Sequence, residues 1–416
     1  MTDTALSAPL ENNNRQQRLS VLLNVIATFI ISISMGMCAI IFPVTLERIG
    51  LNTSTIGIIM SLETIASFIL SLFLPALLRT LGMRAGMVLS TLLRVPMIIL
   101  LGFTDDLSLW VLAVFVNGVG CFTFLVLLQT WVNSIPFRRH RGLMVALYST
   151  SISVGLAVGP IVLRFADELL PTMQPYMSLV FSMLKITIAE GETVSRHFEF
   201  VLAALISLLA VVPILFGLLL VPSFKLSGKS RIFNTIMNAK GPMFAVAMGG
   251  VSIFGVTAFI TLYGLKNNLS VEDASLLLTF FMLGGLALEA PITWISDFFD
   301  RRYVIVVSAF LCMVCAVYLP IAIYERYQAW ALLFVWGGVI GAVYSTALAL
   351  LGERFEGDEL IEANAGYSMM DAAGGTAGIL LIGFFMDVFG PDGLPYVIMF
   401  SSILYFSFAL TRYRVE

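Results

Sequence analysis

Histidine is almost absent from this chain. Its two copies, His140 and His197, have no second metal-ligating side chain at helical spacing, so a zinc-type ligand set has no frame to grow on. No metal and no cofactor is expected. The four cysteines, Cys38, Cys121, Cys312 and Cys315, all fall inside apolar runs, where a thiol packs as a small hydrophobe. GxSxG, HExxH and phosphate-cradling glycine loops are missing as well, which argues against an enzyme. Charge is the third scarcity: 12% of residues are Asp, Glu, Lys or Arg, against roughly 25% in soluble proteins. A net charge of -3 without a long basic run offers nucleic acid no surface.

What the chain has instead is apolar length. Hydrophobic residues make up 59% of it, and a run of about 20 is enough to cross a bilayer core about 30 Å thick as a helix. Strands of a membrane barrel would alternate apolar and polar residues, and runs such as Val201 to Val221 do not. The reading is an all-α polytopic membrane protein with twelve spans. Six lie near 19–46, 54–78, 85–103, 108–133, 143–163 and 198–222, and six near 242–265, 273–296, 303–322, 330–352, 363–386 and 395–411.

Two halves are legible. The stretch ALYSTSISVGLAVGP from Ala146 matches AGYSMMDAAGGTAGI from Ala365 at a constant offset of 219 residues. It pairs Tyr148 with Tyr367, Gly155 with Gly374 and Gly159 with Gly378. Such self-similarity predicts pseudo-symmetric six-helix halves. We divide the chain into a polar tail (1–18), an N-terminal half (19–222), a connecting loop (223–241) and a C-terminal half (242–416). The connection 164–197 has no counterpart of similar length in the second half, and we expect an interfacial helix or lid there.

An even number of spans puts both termini on one side, and basic residues gather on the cytoplasmic side. Sixteen Lys and Arg fall on the terminal side and six on the other, which with Arg94 accounts for all 23. Both termini are therefore expected in the cytoplasm, with Arg94 inside the membrane. Glu63, Glu289 and Asp371 also fall inside spans, and counting from the nearer span end puts all four at about 12 to 14 Å, one shared depth near the bilayer centre. Each charge there costs at least about 2.5 to 3.5 kcal/mol and calls for a partner, water or a function. Glu63 and Arg94, on consecutive spans, form a buried pair in one reading. Asp371 and Glu289 lack a sequence-adjacent cation and are the proton-coupling candidates, with Glu63 as a third. Tyr148 and Tyr367 are candidate contacts for an aromatic solute.

The stretch PITWISDFFDRR, Pro291 to Arg302, resembles the inner-loop motif of the major facilitator superfamily. Asp297, Arg301 and Arg302 match its charged positions, and the resemblance implies a gating latch there. In the first-half copy PALLRTLGMRAG, Gly82 and Arg84 keep the pattern while Arg79 stands where the acid belongs. GLAVGP, Gly155 to Pro160, is similar to the family's exporter-associated Gly and Gly-Pro pattern; Gly155, Gly159 and Pro160, like Gly374 and Gly378, also suit close helix packing. QTWVN from Gln129 and GERFEGDELIEANA from Gly352 resemble the YcaD-like branch of bacterial permeases. The resemblance implies that helices 1, 4, 7 and 10 line a cavity and 2, 5, 8 and 11 meet between the halves, which places Asn117, Tyr263 and Tyr344 on lining helices with Arg94 as a substrate or ion-pair residue.

The expectation is a monomeric secondary transporter of the bacterial inner membrane, with a small-molecule substrate, protons and the lipid bilayer as its partners. Proton-coupled export of a drug, siderophore or metabolite is the first form. Proton-coupled uptake of an anionic metabolite, with Arg94 as counter-ion, is the second. A non-transporting membrane assembly or chaperone subunit is an alternative of another class.

Overall fold

The structure, a computed structural model, describes residues 7–134, 147–166, 172, 194–217, 232–296, 298–355 and 357–413. Among these no strand occurs, and every long element is a helix with an apolar window fit to cross a bilayer. In the N-terminal half α1 is Ser7–Arg48, α2 Thr53–Leu70, α3 Gly82–Gly102, α4 Leu107–Ser134, α5 Leu147–Ala166 and α6 Arg196–Gly217. In the C-terminal half α7 is Lys240–Lys266, α8 Val271–Ile295, α9 Arg301–Ala322, α10 Arg326–Arg354, α11 Gly357–Phe389 and α12 Gly393–Tyr413. The last apolar stretch, Ala363–Ala409, is 47 residues long, about 70 Å of helix and twice what a bilayer core takes. A 3-10 turn at Gly390–Asp392 divides it into α11 and α12. Twelve spans result, as the hydropathy pattern predicts.

Local chemistry sets the breaks. Between α2 and α3 the backbone stays helical except at Gly82, whose φ of 69° and ψ of 166° suit a residue without Cβ. Asn52, Ser270 and Asp300 stand at the starts of α2, α8 and α9, and each accepts a backbone N–H of the first turn, the role for which such side chains are preferred. The start of α1 differs from expectation, since the helix reaches back to Ser7 through the stretch expected as a tail. Polar residues extend a helix cheaply once a long apolar span has nucleated it. The connecting loop includes a short helix, Ile232–Asn238. Residues 167–171 and 173–193 of the expected lid, residues 223–231 of the connecting loop and Asp297 lie outside the described residues.

The sequence repeat is a structural repeat. Tyr148 Oη donates to Leu125 O at 3.0 Å, and Tyr367 Oη to Tyr344 O at 2.6 Å. Leu125 and Tyr344 are themselves separated by 344 − 125 = 219, so donor and acceptor are both duplicated. Glycines repeat alongside. A Cβ on Gly155 of α5 would lie 2.7 Å from Phe29 O of α1, and one on Gly374 of α11 would collide with Ala247 O of α7. Gly159 and Gly378 would meet Gly36 C and Val251 Cα, both at 2.6 Å. Small residues thus let backbones approach where lipid supplies no hydrophobic drive between helices.

The halves meet along α2 with α11 and α5 with α8. Thr64 and Thr376 share a hydrogen bond of 2.8 Å, and Thr279 Oγ1 donates to Ala157 O at 3.4 Å. Gly57 of α2 faces Gly383 of α11, its missing Cβ 3.3 Å from the latter's Cα.

Gly374→Leu is expected to destabilise the protein by about 1 to 3 kcal/mol or to prevent its folding, as overpacking does. Gly352→Ala, in α10 with open space around it, should leave stability unchanged or raise it by up to about 1 kcal/mol. Thermal unfolding in detergent followed by size-exclusion compares them; equal melting temperatures would refute the close-approach argument.

Candidate functional site

Arg94 of α3 is 1% exposed, so each of its donors needs a partner inside the protein. Nε donates to Asn117 Oδ1 of α4 at 3.0 Å, and Asn117 Nδ2 donates in turn to Glu63 Oε1 of α2 at 2.6 Å. Nη2 reaches Ser34 Oγ at 3.4 Å and Cys38 Sγ at 3.9 Å, both on α1. Among the described residues Nη1 has no hydrogen-bond partner. Glu63 and Arg94 are thus linked through the Asn117 amide rather than by a direct hydrogen bond among the described contacts. Gly118 makes this possible, because a Cβ there would lie 2.7 Å from Glu63 Cα.

The C-terminal half carries the opposite arrangement. Among the described residues neither Asp371 of α11 nor Glu289 of α8 has a cation acting on it. Glu289 accepts a short hydrogen bond from Ser345 Oγ of α10. Asp371 Oδ1 is buried without any partner, 3.0 Å from where a Cβ on Gly250 of α7 would stand. Tyr344 and Tyr367 meet edge to face with ring centroids 5.1 Å apart, and both carboxylates lie within electrostatic range of both hydroxyls. Tyr148, from the other half, lies within the same range of Tyr344. Two acids and three tyrosines thus form one group drawn from both halves.

The four charges do not share a depth. From the ends of the helices far from the chain termini, which we term distal, Glu63 is 63 − 53 = 10 residues in and Arg94 102 − 94 = 8, about 15 and 12 Å. Glu289 is 289 − 271 = 18 residues in and Asp371 389 − 371 = 18, about 27 Å each. Counting from the nearer span end hid this. It started from the distal end for one pair and from the opposite end for the other, and α8 alone, at 25 residues or about 37 Å, exceeds twice the depth so obtained. The paired charges form a distal layer and the unpaired acids a layer about 12 Å closer to the termini.

At the distal end polar contacts tie the halves together. Arg164 of α5 meets Glu272 of α8 at 2.9 Å, and Lys266 of α7 meets Glu47 of α1 at 3.4 Å. Asp387 of α11 accepts from Thr53 N and Ser54 N, each at 2.8 Å, and from Thr53 Oγ1. A carboxylate of one half thus caps the first helix turn of the other, where backbone N–H groups otherwise lack acceptors. Sequence reading missed Asp387. Its signal, an acid at a span end and Thr-Ser at a span start, is local, but the pairing joins residues 334 apart.

The other predicted residues divide. Tyr263 is fully buried near the distal end of α7, its hydroxyl without a partner, and belongs to packing rather than to the acid and tyrosine group. Of the expected latch, Arg301 Nε lies 3.4 Å from Glu353 Oε1, Arg302 N donates to the Asp300 carboxylate at 2.9 Å, and Arg84 is exposed at the start of α3. Pro160 is buried in α5 one residue beyond Gly159.

The profile of the Major Facilitator Superfamily matches residues 25–266 and 241–416. The uncharacterized MFS-type transporter YfkF of Bacillus subtilis is 23% identical over 377 residues, 88% of each chain. The uncharacterized MFS-type transporter YcaD of Escherichia fergusonii is 20% identical over 397 residues, 95% of this chain and 96% of that one. A bacterial homolog of the human lysosomal transporter Spinster, inward-facing and unoccupied, superposes with a TM-score of 0.74 at 11% identity over 95% of both chains. The nucleoside transporter NupG gives 0.72 at 12% identity over 94% of this chain and 99% of its own. At such identities the superpositions speak for the fold.

Removing one member of the buried pair strands the other, at a cost of about 3 to 5 kcal/mol. Glu63→Gln and Arg94→Gln are each expected to destabilise, and the double variant by clearly less than their sum; additive losses in a double-mutant cycle would show that the two are not coupled. Asp387→Ala is expected to loosen the distal seam. Spin labels at Ile58 and Val388 should report a longer distance population in that variant, and an unchanged distribution would remove the cap from the seam's account.

Proposed function

The chain belongs to the major facilitator superfamily and is a secondary transporter, and from that premise we propose that it exports a small organic solute in exchange for protons. The observation that carries this reading is the pair of carboxylates without cations, Asp371 and Glu289, grouped with tyrosines of both halves. A carboxylate in that setting can be neutralised by a proton or by a positively charged or hydrogen-bonding solute, and competition between the two is what exchange requires. In the cycle we envisage, Asp371 or Glu289 takes a proton from outside as solute leaves and gives it up inside as solute binds.

Alternating access follows from the two halves rocking about the central group. The distal contacts of Asp387, Glu272 and Glu47 hold the outer side closed in this reading, and Arg301 and Arg302 belong to the opposite gate. The excess of basic residues on the terminal side supports cytoplasmic termini, and in this reading the protein works as a monomer in a bacterial inner membrane. Gly155, Gly159 and Pro160 support the outward direction through the exporter-like pattern they resemble.

Uptake of an anion has one observation in its favour, the unpartnered Nη1 of Arg94. Against it, that side chain is 1% exposed and its charge is already answered by Glu63 through Asn117. The unpaired acids favour a neutral or cationic solute.

Proteoliposomes with an imposed pH gradient, screened against pooled metabolites and drugs, test the proposal. Export is expected to draw protons in with wild type, and Asp371→Asn or Glu289→Gln should abolish proton-coupled flux while solute binding persists. Solute exchange that proceeds equally well in both variants would make the acids packing residues and the protein a uniporter.

A further inference from the structure

A cavity of about 390 Å³ opens at the termini end of the C-terminal half, between α7, α9, α10 and α12. It is separate from the acid and tyrosine group. Two arginines face it, Arg302 from the first turn of α9 and Arg354 from the last turn of α10, and Gly241 and Pro242 bring the N-terminus of α7 to its edge. That 27-residue helix starts after Ala239, which has no side-chain oxygen and makes no cap. In its first turn Pro242 has no N–H and Met243 N donates to Ala239 O, which leaves the N–H groups of Lys240 and Gly241 to supply the partial positive charge that suits phosphate oxygens. Among the described residues no atom lies within 4 Å of a Cβ position on Gly241.

We infer that this cavity binds the phosphate of an anionic phospholipid, with an acyl chain running down its apolar wall. The lining carries two arginines, Arg302 and Arg354, against one acid, Glu353, which Arg301 from outside the lining meets at 3.4 Å. Guanidinium groups match phosphate oxygens in fork geometry. The wall below is apolar: Phe408 and Tyr405 of α12 pack on Phe244 of α7, ring centroids 4.8 and 6.1 Å apart. Its position chooses lipid over free phosphate. Spans α9 and α10 begin and end at this level, where headgroups lie, and α9 continues away from it with an exposed apolar face that includes Val307, Leu311 and Val314.

The test is native mass spectrometry of the full-length protein released from detergent micelles doped with equal amounts of phosphatidylglycerol and phosphatidylcholine. Wild type is expected to retain phosphatidylglycerol severalfold over phosphatidylcholine. Arg302→Gln with Arg354→Gln, both at exposed positions, should erase that preference, while the same double loss of charge at the distal end, Arg48→Gln with Arg326→Gln, should keep it. A preference for phosphatidylglycerol that survives undiminished in the first double variant would overturn the site. Millimolar inorganic phosphate that displaces the lipid and itself protects the fold from heat would overturn the lipid and leave a free-anion site.

Discussion

Inside a bilayer core a polar group has no water to fall back on, so its partner has to come from another part of the same chain. In the N-terminal half this requirement draws α1 to its neighbours. Asn24 Nδ2 donates to Leu128 O and Trp131 Nε1 to Ser20 Oγ, each at 2.9 Å, tying α1 to α4. Ser34 Oγ donates to Ala203 O of α6 at 2.8 Å, and Arg94 gathers α1, α3 and α4 with Glu63 of α2. Among the described residues the requirement goes unmet at several atoms, Asp371 Oδ1 and Arg94 Nη1 among them.

The two halves have the same frame and different electrostatics. Tyr148 and Tyr367 make the same hydrogen bond, and the glycines of α5 and α11 meet α1 and α7 at matching places. On that frame the N-terminal half links Glu63 to Arg94 through Asn117, and among the described residues the two acids of the C-terminal half have no cation acting on them. Neutralising a charge that has no partner changes its surroundings most, so the two halves differ in what a proton or a bound solute would alter.

Much of this was legible in the residues. Span number followed from apolar length, the halves from a repeat of Tyr and Gly positions, and the Glu63–Arg94 association from charges on consecutive spans, because each depends on local pattern or near neighbours in sequence. What was not legible depends on helix ends and on long-range pairing. One depth for four charges failed because hydropathy locates a span without fixing the end from which depth should be counted. Asn117 as a bridge, Asp387 as a cap for α2 and Ser345 as the donor to Glu289 each need two helices brought side by side, and a single sequence carries no sign of which serine or asparagine faces which acid.

The order in which the buried network is synthesised has a consequence for how the protein enters the membrane. Glu63 emerges first, Arg94 follows on the next span, and Asn117, 54 residues after Glu63, comes last. Between those events the nascent chain holds a carboxylate and a guanidinium whose insertion is costly and whose connecting amide has not yet been made. Release of α2 and α3 into lipid one by one would leave each charge without its partner, at a cost that entry of α2, α3 and α4 together would avoid.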